Sequence, residues 1–102
     1  AELAAEQAKL LVFLTPDCAP CERTAARLDE WSRSLAPTVS VMTVRPSDEP
    51  DGNVRRVLGI RGTPSAVLLG ADGLLAGGPV AGEQRVADLV EDIIAELAVA
   101  ER

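Results

Sequence analysis

The segment that most restricts this chain runs from Leu10 to Leu14 (LLVFL), stops at Thr15, Pro16 and Asp17, and is followed at once by Cys18-Ala19-Pro20-Cys21. A short apolar run closed by turn formers reads as a strand buried on both faces, here Lys9 to Thr15, because no alternate position offers a polar side chain to water. A helix follows it. Asp17 is placed to act as N-cap, and Pro20 falls in the first turn, where a missing N–H costs nothing. Leu28, Trp31 and Leu35 then recur at three- and four-residue spacing. The two cysteines are thereby set at the junction between a buried strand and the start of a helix.

The remaining elements build outward from that junction. Pro37 closes the helix, and Thr38 to Val44 (TVSVMTV) alternates as a second strand. Residues 45–53 (RPSDEPDGN) form a polar loop before a short helix near Val54 to Leu58, which stops at Gly59. Ser65 to Leu69 reads as a third strand, and Ala71, Asp72 and Gly73 turn it into a fourth, Leu74 to Gly77, as an antiparallel hairpin. Val86, Leu89, Val90, Ile93, Ile94 and Leu97 share one stripe of a last helix whose other face is acidic. The order is β-α-β-α-β-β-α, an α/β chain with a central mixed four-stranded sheet flanked by helices. A crossover helix makes the first two strands parallel, and the hairpin extends the sheet.

At 102 residues the chain supports one core and is read as a single domain over 1–102. Residues 1–8 (AELAAEQA) are helix-prone and read as a linker or tail. A first residue of Ala1 predicts that a signal peptide, an anchor or a preceding domain has been removed. With one Phe, one Trp and no Tyr, the core must be aliphatic, with Phe13 and Trp31 as its large fillers. A net charge of −6, no run of Lys and Arg, and few rings for stacking argue against nucleic acid as a partner. An anionic membrane surface would repel the domain, and no apolar stretch reaches the roughly 18 residues of a spanning helix. Any membrane link therefore runs through a removed anchor or a fused domain. Histidine is absent, which excludes Ser-His-Asp and Cys-His catalysis and any imidazole ligand. Two cysteines alone leave a zinc site two ligands short, so neither a metal nor a cofactor is expected. The pair fits a reducing or an oxidising compartment equally well.

What the cysteines can do follows from their place. The first turn of a helix offers unpaired N–H groups and roughly half a positive charge, both of which favour a thiolate. Cys18, at the very start, gains most, and its thiol should ionise below the free value of about 8.5. Cys21 lies one turn deeper and is better screened. Cys18 would then form the mixed disulfide and Cys21 resolve it, with Ala19 and Pro20 restricting the turn between them. Thr63 and Pro64 stand immediately before the third strand, Pro64 43 residues after Cys21, an interval that lets this loop fold back against the pair. A cis Thr63–Pro64 bond would leave the Thr63 backbone free to pair with an extended substrate segment beside Cys18. The plainer readings are a structural disulfide or inert thiols, and a proline that merely opens an edge strand. The junction position favours redox chemistry over these.

The stretches LLVFLTPDCAPC and LGIRGTPSAVLLGADG together resemble the thioredoxin superfamily, and within it bacterial TlpA-like and MauD-like thiol–disulfide proteins. The resemblance covers nearly the whole chain. It implies a thioredoxin-like fold, exchange of electrons with protein disulfides and with a redox partner protein, Cys18 as nucleophile and Cys21 as resolving thiol. It also implies Pro64 as a cis-proline preceded by Thr63, and a domain held outside the cytoplasmic membrane by an N-terminal anchor, a cytoplasmic place being the alternative. The chain departs from the pattern at Val12, where thioredoxins carry a buried acid, at Asp17, where they carry Trp, and in a short stretch between the second strand and Pro64. Val12 leaves water or a nearby carboxylate such as Glu22 as proton acceptor for Cys21. Pro20 is thioredoxin-like and favours a reductant, whereas Asp17 works against the Cys18 thiolate and favours keeping the disulfide.

Three other readings are weaker or simpler. Thr15-x-x-Cys18 resembles a peroxiredoxin site, but Leu11 stands where that site needs Pro. A copper-carrying relative would need a histidine. A redox-inactive thioredoxin-like binding or spacer domain of a larger membrane-associated protein is the non-enzymatic alternative. Arg23, Arg27 and Arg61 are candidates for a partner surface and otherwise solvated charges.

Overall fold

The computed structural model describes residues 7–49 and 52–100, and in it the apolar run is the body of the central strand β1 (Ala8–Phe13). β1 pairs in parallel with β2 (Val39–Val44), from Ala8 opposite Val39 to Phe13 opposite Val44. On its other edge it pairs antiparallel with β3 (Ser65–Leu69), from Lys9 opposite Leu69 to Phe13 opposite Ser65. β4 (Leu75–Ala81) closes the sheet in the order β2-β1-β3-β4. This is the mixed four-stranded sheet that the element order predicts, with helices packed against it. Of the stretch read as a tail, residues 1–6 lie outside the described residues, and Ala8 opens β1.

Alternation along β1 divides its side chains between two buried layers. Leu10, Val12 and Leu14 join Trp31, Leu35, Val39, Ala66, Val86, Val90 and Ile93 in one aliphatic cluster, while Phe13 and Val67 are fully buried apart from it. Each such side chain contributes roughly 1.5–3 kcal/mol by leaving water.

The helix after the cysteines is divided where the spacing predicts one continuous element. α1 (Ala19–Ala25) and α2 (Leu28–Leu35) are joined by Ala26 and Arg27, both in the right-handed helical region. The Arg27 N–H donates to the Thr24 carbonyl three residues back at 3.0 Å, whereas Ala26 bonds Glu22 and Trp31 bonds Arg27 at the usual four. The interruption is thus one tightened turn without Gly or Pro to announce it. Its side chain anchors it: the Arg27 guanidinium lies 4.8 Å over the Trp31 ring and 3.8 Å from Glu91 of the last helix. Ala36 then turns extended ahead of Pro37, which ends α2.

The polar loop contains a 3₁₀ turn (Pro46–Asp48) in which the Arg45 N–H donates to Asp48 Oδ2 at 2.8 Å. Beyond it Glu49 reaches α3 (Asn53–Leu58): its Oε2 accepts from the Val54 N–H at 2.9 Å, and its Oε1 lies 3.2 Å from Arg55 Nε. Gly59 ends α3 in the left-handed conformation, and the Ile60 N–H returns to the Arg55 carbonyl at 2.8 Å. α4 (Glu83–Ala100) buries Val86, Val90 and Ile93 along the stripe read from the sequence, with Leu89, Ile94 and Leu97 beside them. Among the described residues no helix is long and apolar enough to cross a membrane.

β4 runs four residues beyond the expected end at Gly77. Gly77, Gly78 and Pro79 punctuate a sequence, but an edge strand tolerates them, since a proline there need not donate to a neighbour. The register with β3 slips between Ala66 and Leu68, and Gly78 sits at φ 78° beside the slip. A Cβ on Gly78 would meet the Ala66 carbonyl oxygen at 2.7 Å and the Val67 Cα at 3.3 Å, whereas one on Gly73, at φ 84°, would meet nothing within 4 Å. Gly73→Ala therefore isolates the backbone penalty, about 1 kcal/mol. Gly78→Ala adds a backbone collision and is expected to cost roughly 3 kcal/mol or more. Urea midpoints of the two variants measure the difference; equal losses would mean that β4 does not approach β3 as described.

Candidate active site

Between the end of β1 and the start of α1 the chain turns through Thr15, Pro16 and Asp17, and Asp17 adopts the left-handed conformation (φ 56°). Asp17 is therefore not the N-cap that the sequence predicts. Cys18 holds that place, with extended backbone, and its Sγ accepts the Cys21 N–H at 3.1 Å. The correction has a simple cause: the left-handed turn at Asp17 carries its carboxylate out to solvent, and the next residue inherits the orphan donors of the helix. Ala19 and Pro20 occupy the first two helical positions. Because α1 runs only seven residues before the tightened turn, this direct N–H contact, rather than a long helix dipole, acts on the sulfur.

Cys18 and Cys21 are joined as a disulfide, with Cα atoms 5.2 Å apart. Their exposures differ sharply. Cys18 is half-buried at the surface, and Cys21 is 2% exposed within the aliphatic cluster. The loop before β3 folds back against them, as its spacing predicts. The Thr63–Pro64 peptide is cis, and the Thr63 carbonyl oxygen lies 4.0 Å from Cys18 Sγ. Pro64 is buried, and its carbonyl accepts from the Gly82 N–H at 2.8 Å, which ties the loop to the β4–α4 corner. The Ser65 hydroxyl bonds the Gly62 carbonyl and closes the turn from within.

One contact was not anticipated. Thr15 Oγ1 lies 2.8 Å from Thr63 Oγ1 and 3.9 Å from Cys21 Sγ, so the hydroxyl that reaches the inner cysteine from the turn after β1 is backed by a second from the cis-proline loop. The partners are 48 residues apart, and no spacing rule connects them. An open cavity of about 500 Å³ adjoins Cys21, lined by Leu14, Thr15, Asp17, Glu22 and Arg45. A second hollow of about 220 Å³ meets Thr15 and Thr63 from the other side, with Arg55 and Arg61 on its wall. Val12, in the position of the acid in thioredoxins, is fully buried among apolar neighbours. Trp31 packs in the core, and Arg23 and Arg27 are engaged with Glu83 and Glu91 of α4, while Arg61 stays exposed. Among the described residues no group of three or more His, Cys, Asp or Glu could hold a metal ion.

Three of the solved structures that share this architecture illustrate it. They are the oxidised thioredoxin of Plasmodium falciparum (17% identity, 89% of this chain and 85% of that one, TM-score 0.69), the germline-specific thioredoxin Deadhead of Drosophila melanogaster (17%, 89% and 85%, 0.72), and mitochondrial thioredoxin 3 of Saccharomyces cerevisiae in its oxidised form (19%, 89% and 83%, 0.68). No protein-family model and no curated protein sequence matches the chain.

The unequal exposure of the two sulfurs generates a direct expectation. After reduction, iodoacetamide should label Cys18 at least about tenfold faster than Cys21, and Cys21 should label fully only in denaturant. Peptide mapping of briefly labelled protein reads this, and equal labelling of both thiols in the folded protein would contradict the placement of Cys21.

Proposed function

We propose that this chain, whose fold is that of the thioredoxins, is a thiol–disulfide oxidoreductase that exchanges electrons with protein disulfides through Cys18 and Cys21. The observation that carries the reading is the pairing of a surface sulfur that accepts a backbone N–H with a buried sulfur one turn behind it, beside a loop whose Thr63 carbonyl lies 4.0 Å from the surface sulfur.

In the reducing direction the Cys18 thiolate attacks a substrate disulfide. A bond forms from Cys18 Sγ to one substrate sulfur, and the other leaves as a thiolate and takes up a proton. Cys21 then attacks Cys18 Sγ, the internal disulfide forms, and the second substrate thiol is released. Two electrons pass to the substrate, and a dithiol partner protein restores them. The Cys21 N–H lowers the cost of negative charge on Cys18 by a charge-assisted hydrogen bond. Thr63, with its backbone 4.0 Å from Cys18 Sγ, receives an extended substrate strand in this reading, and Pro64 fixes its direction. Ala19 and Pro20 keep the turn between the sulfurs short. An extended polypeptide suits such an open site better than a small molecule does.

Within this reading we favour a reductant on the strength of Pro20, a TlpA-like or MauD-like bacterial relationship, and a place outside the cytoplasmic membrane behind an N-terminal anchor. Burial of Val12 where an acid would assist Cys21 favours the second reading, a redox-inactive binding or spacer domain.

Equilibration of the pair against glutathione buffers, followed by thiol trapping, separates them. A reversible two-electron transition near about −270 mV is expected for a reductant, and one near about −120 mV would make the protein an oxidant. No reversible transition would sink the oxidoreductase reading and leave the spacer domain. Replacing either cysteine by Ser should abolish turnover of a protein disulfide.

A further inference from the structure

Resolution by Cys21 demands a thiolate where burial opposes one. Cys21 is 2% exposed, and an apolar surrounding raises the cost of the charged form. Val12 supplies no carboxylate. The charged side chains lining the two hollows are Asp17, Glu22 and Arg45 on the larger cavity and Arg55 and Arg61 on the smaller one. Asp17, Glu22, Arg45 and Arg61 are exposed, where water screens them, and Arg55 is held by Glu49. Thr15 Oγ1 lies within hydrogen-bonding reach of the Cys21 sulfur and is backed by Thr63 Oγ1.

We propose that Thr15 and Thr63 form a hydroxyl relay that carries the proton away from Cys21 and then holds its thiolate. The inference rests on the oxidoreductase reading and deepens it. When Cys21 ionises, its proton passes to Thr15 Oγ1 as the Thr15 proton passes to Thr63 Oγ1 and the Thr63 proton to water. Each hydroxyl gives one proton as it takes one, so neither accumulates charge. The transfer leaves Thr63 donating to Thr15 and Thr15 donating to the sulfur, an aligned chain that favours the thiolate. Cys21 Sγ then attacks Cys18 Sγ; the internal disulfide forms, the bond to the substrate sulfur breaks, and that sulfur leaves as a thiolate and takes a proton from water. Thr15, which touches the reacting sulfur, is a catalytic residue in this account. Thr63 acts through Thr15 and is a positioning residue as well as a backbone contact for substrate.

The test uses the full chain carrying Cys18→Ser, which leaves Cys21 as its single thiol, and follows thiolate formation by ultraviolet absorbance against pH. Added Thr15→Val should lower the thiolate fraction at neutral pH about tenfold, an upward move of the titration by about one pH unit. Thr15→Ser should restore it. Thr63→Val should move it the same way by about threefold, with rescue by Thr63→Ser. Because Thr63→Val leaves the packing of Thr15 intact, it carries the test should Thr15→Val fail to fold. Glu22→Gln should change nothing. A Thr15→Val or Thr63→Val protein that titrates like its parent overturns the relay, and so does a shift produced by Glu22→Gln, which would make that carboxylate the acceptor. The titration needs no disulfide substrate, so its failure is distinct from the absence of a redox transition, which would defeat the oxidoreductase reading itself.

Discussion

Strand β1 is constrained on every side. β2 and β3 take its backbone hydrogen bonds on both edges, and buried side chains press on both of its faces. A strand so held cannot slip by one residue without moving Leu10 and Val12 into the layer of Phe13 and turning its whole pattern over. Its last residues are therefore placed as firmly as any atom of the core, and the hydrogen bond from Leu14 to Val44 extends that hold past the end of the strand. Thr15, the turn at Asp17 and the first turn of α1 all inherit their position from it.

The two halves of the site come from this strand and from one of its neighbours. The cysteines follow β1 itself, and Thr63 and Pro64 precede β3, which lies antiparallel beside it. An antiparallel neighbour brings its beginning to the place where β1 ends, so the loop and the cysteines meet although the sequence separates them by more than forty residues. Anchoring of Pro64 to Gly82 fixes the loop from behind. The chemistry then depends on a gradient of exposure over one helical turn, from Cys18 at the surface to Cys21 in the aliphatic cluster.

Much of this was legible because the residues concerned act locally. The LLVFL run, the left-handed stop at Gly59 and the stripe from Val86 to Leu97 each express a rule that spans at most a few turns, and the cysteine pair and the Thr63–Pro64 step carry their own punctuation. The departures have equally local or wholly non-local causes. The tightened turn at Arg27 has neither Gly nor Pro, and besides its i,i+4 contact to Trp31 it is held by a contact to Glu91 of α4 that no spacing rule reports. Gly77, Gly78 and Pro79 argue for a strand end, and only the knowledge that β4 is an edge strand reverses that argument. Asp17 has the chemistry of a cap but the wrong backbone. The Thr15–Thr63 contact joins two separate loops and becomes visible only once the sheet order is known.

The sulfur of Cys18 also serves as the side-chain cap of α1, accepting the Cys21 N–H. Reactive atom and structural fastener are one, so no separate residue inherits the second duty if the first is lost. A descendant of this chain that gave up redox chemistry would not be free at this position. Selection for the fold alone would still confine it to small side chains with an acceptor, Ser, Thr, Asn or Asp, which close a helix start as a sulfur does here. Drift to Ala would loosen the helix by about 1 kcal/mol. The imprint of the reaction would thus outlive the reaction, as a polar residue with no apparent task at the head of a short helix.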